Sequence, residues 1–202
     1  MNIMRVGRYD NTNFGAILKF SPSIEMVDIY GIPSRIKTSF VQIDSNNKFD
    51  IKALRDVAKY WKDNLYADNA YNTALMKFKQ ERNHKNYDVY ALTFQKDNLE
   101  RLDSDDIIGI VEVMNLEDKQ VYIEHIEGKP VYVNEIHRQY NEIGTAMLDS
   151  LKEFYDKIVL VARRSKVVSK FYVKNGFIEK PVGSGLFIWV KDALLDLDTF
   201  FL

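Results

Sequence analysis

The chain has 202 residues, of which 46% are hydrophobic, 13% aromatic and 28% charged, the balance of a folded globular domain rather than a disordered chain. Its 28 Lys and Arg against 29 Asp and Glu leave a formal charge of −1, which excludes a basic field for non-specific nucleic-acid binding. The absence of cysteine removes disulfide frameworks, thiolate zinc sites and cysteine nucleophiles together, and fits a reducing, cytoplasmic setting.

No repeat, low-complexity stretch or linker divides the chain, so one domain over residues 1–202 is expected. No apolar run approaches the ~20 residues of a membrane span, and no apolar stretch follows Arg5 as a signal peptide requires. The first 45 residues or so read as an irregular extension, with apolar runs at Phe14–Phe20, Met26–Ile32 and Ile36–Ile43 between turn signals, hence short strands and loops. Two helices follow. Asp50 is placed to cap the first, with Ile51, Leu54, Val57, Ala58, Trp61 and Leu65 on one face. The second spans about Ala70 to Arg82, with Tyr71, Ala74, Leu75 and Phe78 as its stripe.

Three strands are predicted next, at Asp88–Gln95, Asp106–Met114 and Gln120–Glu127. The middle one, Ile107-Ile108-Gly109-Ile110-Val111, is apolar on both faces and belongs inside a sheet. The short polar connection Leu116–Lys119 favours antiparallel pairing of its flanking strands. A helix near Gly144 carries Met147, Leu148 and Leu151 on its stripe, and Ile158–Ala162 reads as a central strand, which completes a strand–helix–strand unit. Ser165 opens one more helix, ended at Asn175-Gly176. Strands at Phe177–Lys180 and Leu186–Lys191 finish the sheet, and an apolar tail covers 192–202. The fold class is therefore α/β, α+β mixed, with a central mixed sheet flanked by helices.

Two motifs within that order resemble the GNAT superfamily of acyl-CoA-dependent N-acetyltransferases. The run Ser169-Lys170-Phe171-Tyr172-Val173-Lys174-Asn175-Gly176-Phe177 is similar to the family's FYxKxGF stretch between its last helix and the next strand. Gln139-Tyr140-Asn141-Glu142-Ile143-Gly144-Thr145 resembles its Q/R-x-x-G-x-G/A pyrophosphate loop running into a helix. The resemblance covers about residues 50 to 191. It implies acetyl-CoA as cosubstrate, a fourth and a fifth strand that splay apart, and a pantetheine arm lying in the gap as an added strand would. Glu142 departs from the pattern, standing where the family has its first glycine; a glutamate there must hold the turn with its charge away from the ligand. Arg138, Arg163, Arg164 and Lys174 are cations nearby in sequence.

For the fourth strand, Gln120–Glu127 is preferred to Val131–His137, because the latter leaves Asp88–Gln95 without a place in the sheet. The pantetheine edge then lies at about Ile126 to Lys129, with a backbone N–H near Glu127 or Gly128 to polarise the thioester carbonyl. The resemblance assigns cofactor contacts to Ile126, Glu127, Gly128, Arg138, Gln139, Tyr140, Asn141, Glu142, Ile143, Gly144, Thr145 and Ser165.

Transfer of an acyl group to an amine needs a base for the amine proton and profits from an acid for the leaving thiolate. Glu124, on the preferred fourth strand, matches a position where several GNAT enzymes carry a base; Glu127 is the second choice, on the opposite face if the strand is regular. Tyr172 matches the family's tyrosine acid. His84, His125 and His137 have no ligand spacing, and no metal site is expected.

The implied activity is transfer of acetyl from acetyl-CoA to a primary amine by direct attack in a ternary complex. The alternative is a non-catalytic GNAT-like module that binds CoA or a protein partner. The acceptor is left open among small amines, antibiotics, peptides and protein lysines. No nucleic-acid or membrane partner is expected. The apolar tail either covers its own core or makes a homodimer contact.

Overall fold

Alternating and continuous apolar runs become strands, and the stripes of 3.6-residue period become helices, in the order the sequence implies. The computed structural model describes residues 15–61, 65–79, 86–133 and 139–191. Four short strands come first: β1 (Ile17–Phe20), β2 (Ser23–Val27), β3 (Pro33–Lys37) and β4 (Ser39–Gln42). Helices α1 (Lys48–Tyr60) and α2 (Leu65–Phe78) follow, then strands β5 (Tyr87–Thr93), β6 (Ile107–Asn115) and β7 (Gln120–Gly128). A single helical turn, α3 (Pro130–Val133), and the two-residue strand β8 (Tyr140–Asn141) lead into α4 (Ile143–Lys152). The chain continues through β9 (Lys157–Val161), α5 (Lys166–Lys174), β10 (Ile178–Glu179) and β11 (Leu186–Val190).

Eight strands form one mixed sheet in the order β1-β4-β5-β6-β7-β9-β11-β10. Its neighbours are antiparallel except for β7 and β9, which run parallel and are joined through α4, since a parallel pair needs a crossover. Strand β6 lies at the centre and is buried on both faces. Ile107 and Ile110 meet the side covered by α1 and α2, where Leu54, Val57, Trp61, Ala70 and Ala74 pack. Ile108, Val111 and Val113 meet the side covered by α4, with Met147, Leu148 and Leu151. Burying a chain of such side chains on each face, at about 1.5–3 kcal/mol apiece, is what drives the layers together.

The order of strands and helices follows the sequence pattern; the details around it differ. Asn47, not Asp50, caps α1, its side-chain oxygen accepting from Phe49 N at 2.7 Å. Asp50 lies inside the first turn, where its buried carboxylate accepts from Asp44 N at 2.9 Å. Helix α2 starts five residues earlier than the stripe predicts and turns Ala67, Ala70 and Ala74 to the core, while Phe78 stays 46% exposed. Small alanines let this helix lie close on the sheet, an outcome a pattern of large residues does not reveal. The N-terminal stretch is more regular than its sequence suggests, since β1 and β4 extend the main sheet. Strands β2 and β3 form a hairpin that pairs with β8 in a second sheet of order β3-β2-β8. The predicted helix stop is present: Asn175 closes α5 and Gly176 takes φ +80°, the left-handed turn that costs a glycine least. The apolar tail at 192–202 and the first 14 residues lie outside the described residues, as do His84, His137 and Arg138. Among the described residues, no helix is long and apolar enough to cross a membrane, and no group of three or more metal-ligating side chains could hold an ion.

Candidate active site

Strand β7 is paired on both sides over its first half alone. Its Gln120, Val121, Tyr122 and Ile123 face Lys157, Ile158, Val159 and Leu160 of β9. Beyond Ile123 the pairing with β9 ends while β7 continues along β6 as far as Gly128, opposite Gly109. Glu124 to Gly128 thus present a backbone edge with no strand of the described residues beside it. Lys129 N donates to Ile108 O of β6 at 2.8 Å, so by antiparallel alternation the N–H groups of Gly128 and Ile126 point to the open edge. The gap lies between β7 and β9, where the sequence resemblance implies one. The strand that borders it is β7, one residue longer than the expected Gln120–Glu127, and α3, not a strand, stands at the start of the segment 131–137.

A β-bulge sits at the branch point. Val113 opposes Ile123 and Glu112 opposes His125, so Glu124 is an extra residue on β7. One inserted residue reverses the alternation beyond it. Glu127, expected opposite to Tyr122, is therefore on the same face as Tyr122 and His125: its cross-strand partner is Ile110, which belongs to the α1–α2 core. Ile126 takes the α4 side.

The two candidate bases end in different places. Glu127 lines a cleft of about 650 Å³ at the open edge, shared with Ile126, Gly128, Gly144, Phe171 and Tyr172. Its Oε2 is buried with no hydrogen-bond partner among the described residues, and burial pushes its pKa up from 4.5 to about 7. Glu124 instead lines a separate cavity of about 330 Å³ beneath α2, with Asn69, Asn72, Tyr87, Glu112 and His125. There the Tyr87 hydroxyl is held above its ordinary pKa by burial first and by Glu124 and Glu112 next. His125 is held between Asn69 at 3.1 Å and the Tyr66 ring, with Glu112 at 3.8 Å. It is packed and hydrogen-bonded, and does not line the cleft.

Tyr172 enters the cleft from α5. Its ring packs against Phe171, Phe177 and Phe187, with centroids 5.1, 5.7 and 5.0 Å away. The residue is 7% exposed. Its hydroxyl makes no hydrogen bond within the described residues, and burial, with a smaller contribution from Tyr66, pushes its pKa up to about 12.

The third wall is the loop into α4. Tyr140, Asn141, Glu142, Ile143, Gly144 and Thr145 all line the cleft. Glu142 is the N-cap of α4 at φ 67°, ψ 13°, the left-handed conformation, without a side-chain cap bond. That conformation explains why glycine stands here in the family pattern: a non-glycine residue adopts it at a cost of about 1–2 kcal/mol. The first N–H groups of an α-helix have no partner within it and carry the positive end of its dipole. Gly144 packs under Phe171: a Cβ there would sit 2.9 Å from the Phe171 ring. Its smallness lets α4 and α5 close around the cleft.

Of the other cofactor candidates, Gln139 contributes its carbonyl, which accepts from Val27 N at 2.8 Å, and does not line the cleft. Ser165 stands at the N-terminus of α5 in extended conformation and is also outside the lining. Lys174 does line it. Arg163 and Arg164 are exposed, Arg164 donating to Ser184 O at 3.3 Å. The residue that sequence reasoning missed is Arg35 on β3, which is ion-paired with Glu142 from 107 positions away. Glu25 of β2, also in the lining, accepts from Asn141 Nδ2 at 2.9 Å. The pairing of β2 with β8 brings both in, and no local pattern signals it. A more voluminous groove, about 820 Å³ beside α1, is lined by the 95–106 loop and holds none of the candidate chemical groups.

No family profile matches the chain and no curated protein does. Solved structures do. One described as an acetyltransferase from Exiguobacterium sp. 255-15 is 13% identical and matches 81% of this chain and 99% of its own, with a TM-score of 0.49. One of the GNAT family from Desulfovibrio desulfuricans is 14% identical over 76% of this chain and 98% of its own, with a TM-score of 0.48. An acetyltransferase with acetyl-CoA from Clostridium acetobutylicum is 18% identical over 82% of this chain and 99% of its own, with a TM-score of 0.42. In architecture, a mixed α/β fold with a large mixed sheet flanked by helices, the chain is similar to GNAT acetyltransferases.

Proposed function

We propose that the protein is an N-acetyltransferase that uses acetyl-CoA as cosubstrate and a primary amine as acceptor. What carries the reading is one juxtaposition: the unpaired edge of β7, the loop into α4 and the Tyr172 hydroxyl bound the same cleft, with an orphaned carboxylate, Glu127, between them. The residues fit the group. The edge offers Ile126 and Gly128 N–H groups to an extended arm, and the α4 N-terminus with Lys174 offers positive potential to phosphates. Acetyl-CoA, when bound, supplies the acetyl group already activated as a thioester.

The chain's own residues then divide the work. Glu127 is the base: with its pKa near 7 it is partly ionised at neutral pH, and it takes a proton from an acceptor ammonium that approaches from the α2 face. Its position at the cleft favours it over Glu124, which remains on the acceptor side as a negative wall beneath α2. The Gly128 N–H donates to an oxygen placed at the edge. Tyr172 holds its proton at Oη through the whole neutral range and delivers it to the sulfur side of the cleft. The competing reading is a module that binds CoA without turnover.

A thiol-release assay with acetyl-CoA and a panel of amines tests the proposal. Release that depends on one class of acceptor is expected. Binding of acetyl-CoA with no acceptor-dependent release across small amines, peptide N-termini and protein lysines would favour the non-catalytic module.

A further inference from the structure

We propose that Arg35 is a positioning residue for the cofactor loop: reaching from β3, it pins the Glu142 carboxylate and cancels its charge, so that the mouth of α4 can accept a phosphate-bearing ligand. This rests on the reading of the cleft as an acyl-CoA site. Glu25, Glu127 and Glu142 line the cleft, with Lys174 as a cation among them. An anionic ligand would meet more negative charge than positive, and Glu142 is the residue nearest the helix N-terminus that should attract it.

Arg35 is built into that place. Its Nη2 donates to Ser23 O at 2.8 Å while its Nη1 donates to the Glu142 carboxylate. The guanidinium is thus tied at one end to the backbone of β2 and at the other to the loop. The hairpin is tied to the loop again by the pairs Glu25–Asn141 and Met26–Tyr140, by Val27 N to Gln139 O at 2.8 Å, and by Asn141 Nδ2 to Glu25 Oε1. A pair this exposed, with side-chain exposures of 56% and 40%, contributes little to stability. Its consequence is local: a carboxylate on a left-handed residue, with no helix cap to make, is held in one place and neutralised. A guanidinium has five N–H donors. Two are used by Glu142 and Ser23.

The departure from glycine and the presence of the arginine then form one device. Glycine would need no cation, and glutamate without one would repel phosphate. The N-terminal hairpin is accordingly part of the cofactor site, although it precedes the family-like core in sequence.

The test is calorimetric titration of CoA into the wild type, Arg35→Ala, Arg35→Lys, Glu142→Gly and the Arg35→Ala/Glu142→Gly double variant. Arg35→Ala should weaken CoA binding about tenfold, and Arg35→Lys should recover most of that loss. In the Glu142→Gly background, where no charge is left to cancel, the same Arg35→Ala change should cost less than about twofold. A purely structural arginine would give the same loss in both backgrounds. Undiminished CoA affinity in Arg35→Ala, or an equal loss with and without Glu142, overturns the proposal. If the wild type binds no CoA, the acyl-CoA reading falls instead. Amide exchange at Asn141–Thr145 in the ligand-free proteins then decides the pinning alone: faster exchange in Arg35→Ala supports it and unchanged exchange refutes it.

Discussion

The two halves of β7 make different uses of one strand. From Gln120 to Ile123 it is hydrogen-bonded on both sides, and Val121 and Ile123 are 0% and 2% exposed in the core. From Glu124 to Gly128 it keeps β6 and loses β9, and its residues become two glutamates, a histidine and a glycine around the single apolar Ile126. The first half has a strand on either side and buries apolar surface. The second leaves backbone donors and a carboxylate oxygen unspent, which costs stability. The unpaired edge lies beside the cleft that the proposed function assigns to acyl-CoA. The bulge at Glu124 marks the change and swings Glu127 to the α1–α2 face.

Four substitutions sharpen that contrast, in descending order of effect. Glu127→Gln should lower turnover by roughly 10²-fold or more while CoA affinity holds. Wild-type activity should rise with pH through about 7 as this carboxyl ionises, and the variant should lack that limb. Stability carries the opposite sign. A carboxyl whose pKa is raised on folding binds its proton more tightly in the folded state, so its favourable contribution is present below the unfolded value and is lost as pH rises through about 7. Glu127→Gln should therefore melt higher than the wild type above pH 7, and the two should converge near pH 4. Thermal melts across that range check it.

Tyr172→Phe should slow transfer on the order of ten- to a thousand-fold with a near-native melting curve, since the aromatic packing is retained. With a burial-raised pKa of about 12, Tyr172 should add no falling limb to the pH profile below about pH 10. Ile123→Val, in the doubly paired half, should do the reverse: about 1 kcal/mol of stability lost in denaturant titration with kcat unchanged. Glu124→Gln should change kcat less than about threefold, because the residue faces the cavity beneath α2 rather than the cleft. A loss of 10²-fold there, with Glu127→Gln near wild type, would reverse the two assignments.

Much of this was legible in the chain. The doubly apolar run Ile107–Val111 placed the sheet centre, and the polar connection Leu116–Lys119 gave the antiparallel β6–β7 pair. The Phe171–Phe177 motif located α5, its tyrosine and its glycine stop. What escaped was set by long-range geometry. A bulge is one extra residue in a strand of ordinary composition, so simple alternation put Glu127 on the wrong face. The Arg35–Glu142 pair depends on a hairpin meeting a two-residue strand over 100 residues later, and Ser23–Val27 carries no mark of that partner. Ala74 was on the predicted stripe of α2, but the burial of Ala67 and Ala70 escaped because it follows from close approach to the sheet, not from large side chains.

The most direct measurement is an NMR titration of the wild-type protein with CoA, following backbone amides. Saturable shifts are expected at Ile126 and Gly128 on the open edge of β7 together with Asn141–Thr145 at the mouth of α4, while Val121 and Ile123 on the paired half stay still. Absence of binding, or shifts confined to the groove beside α1, would contradict the assignment of this cleft to acyl-CoA.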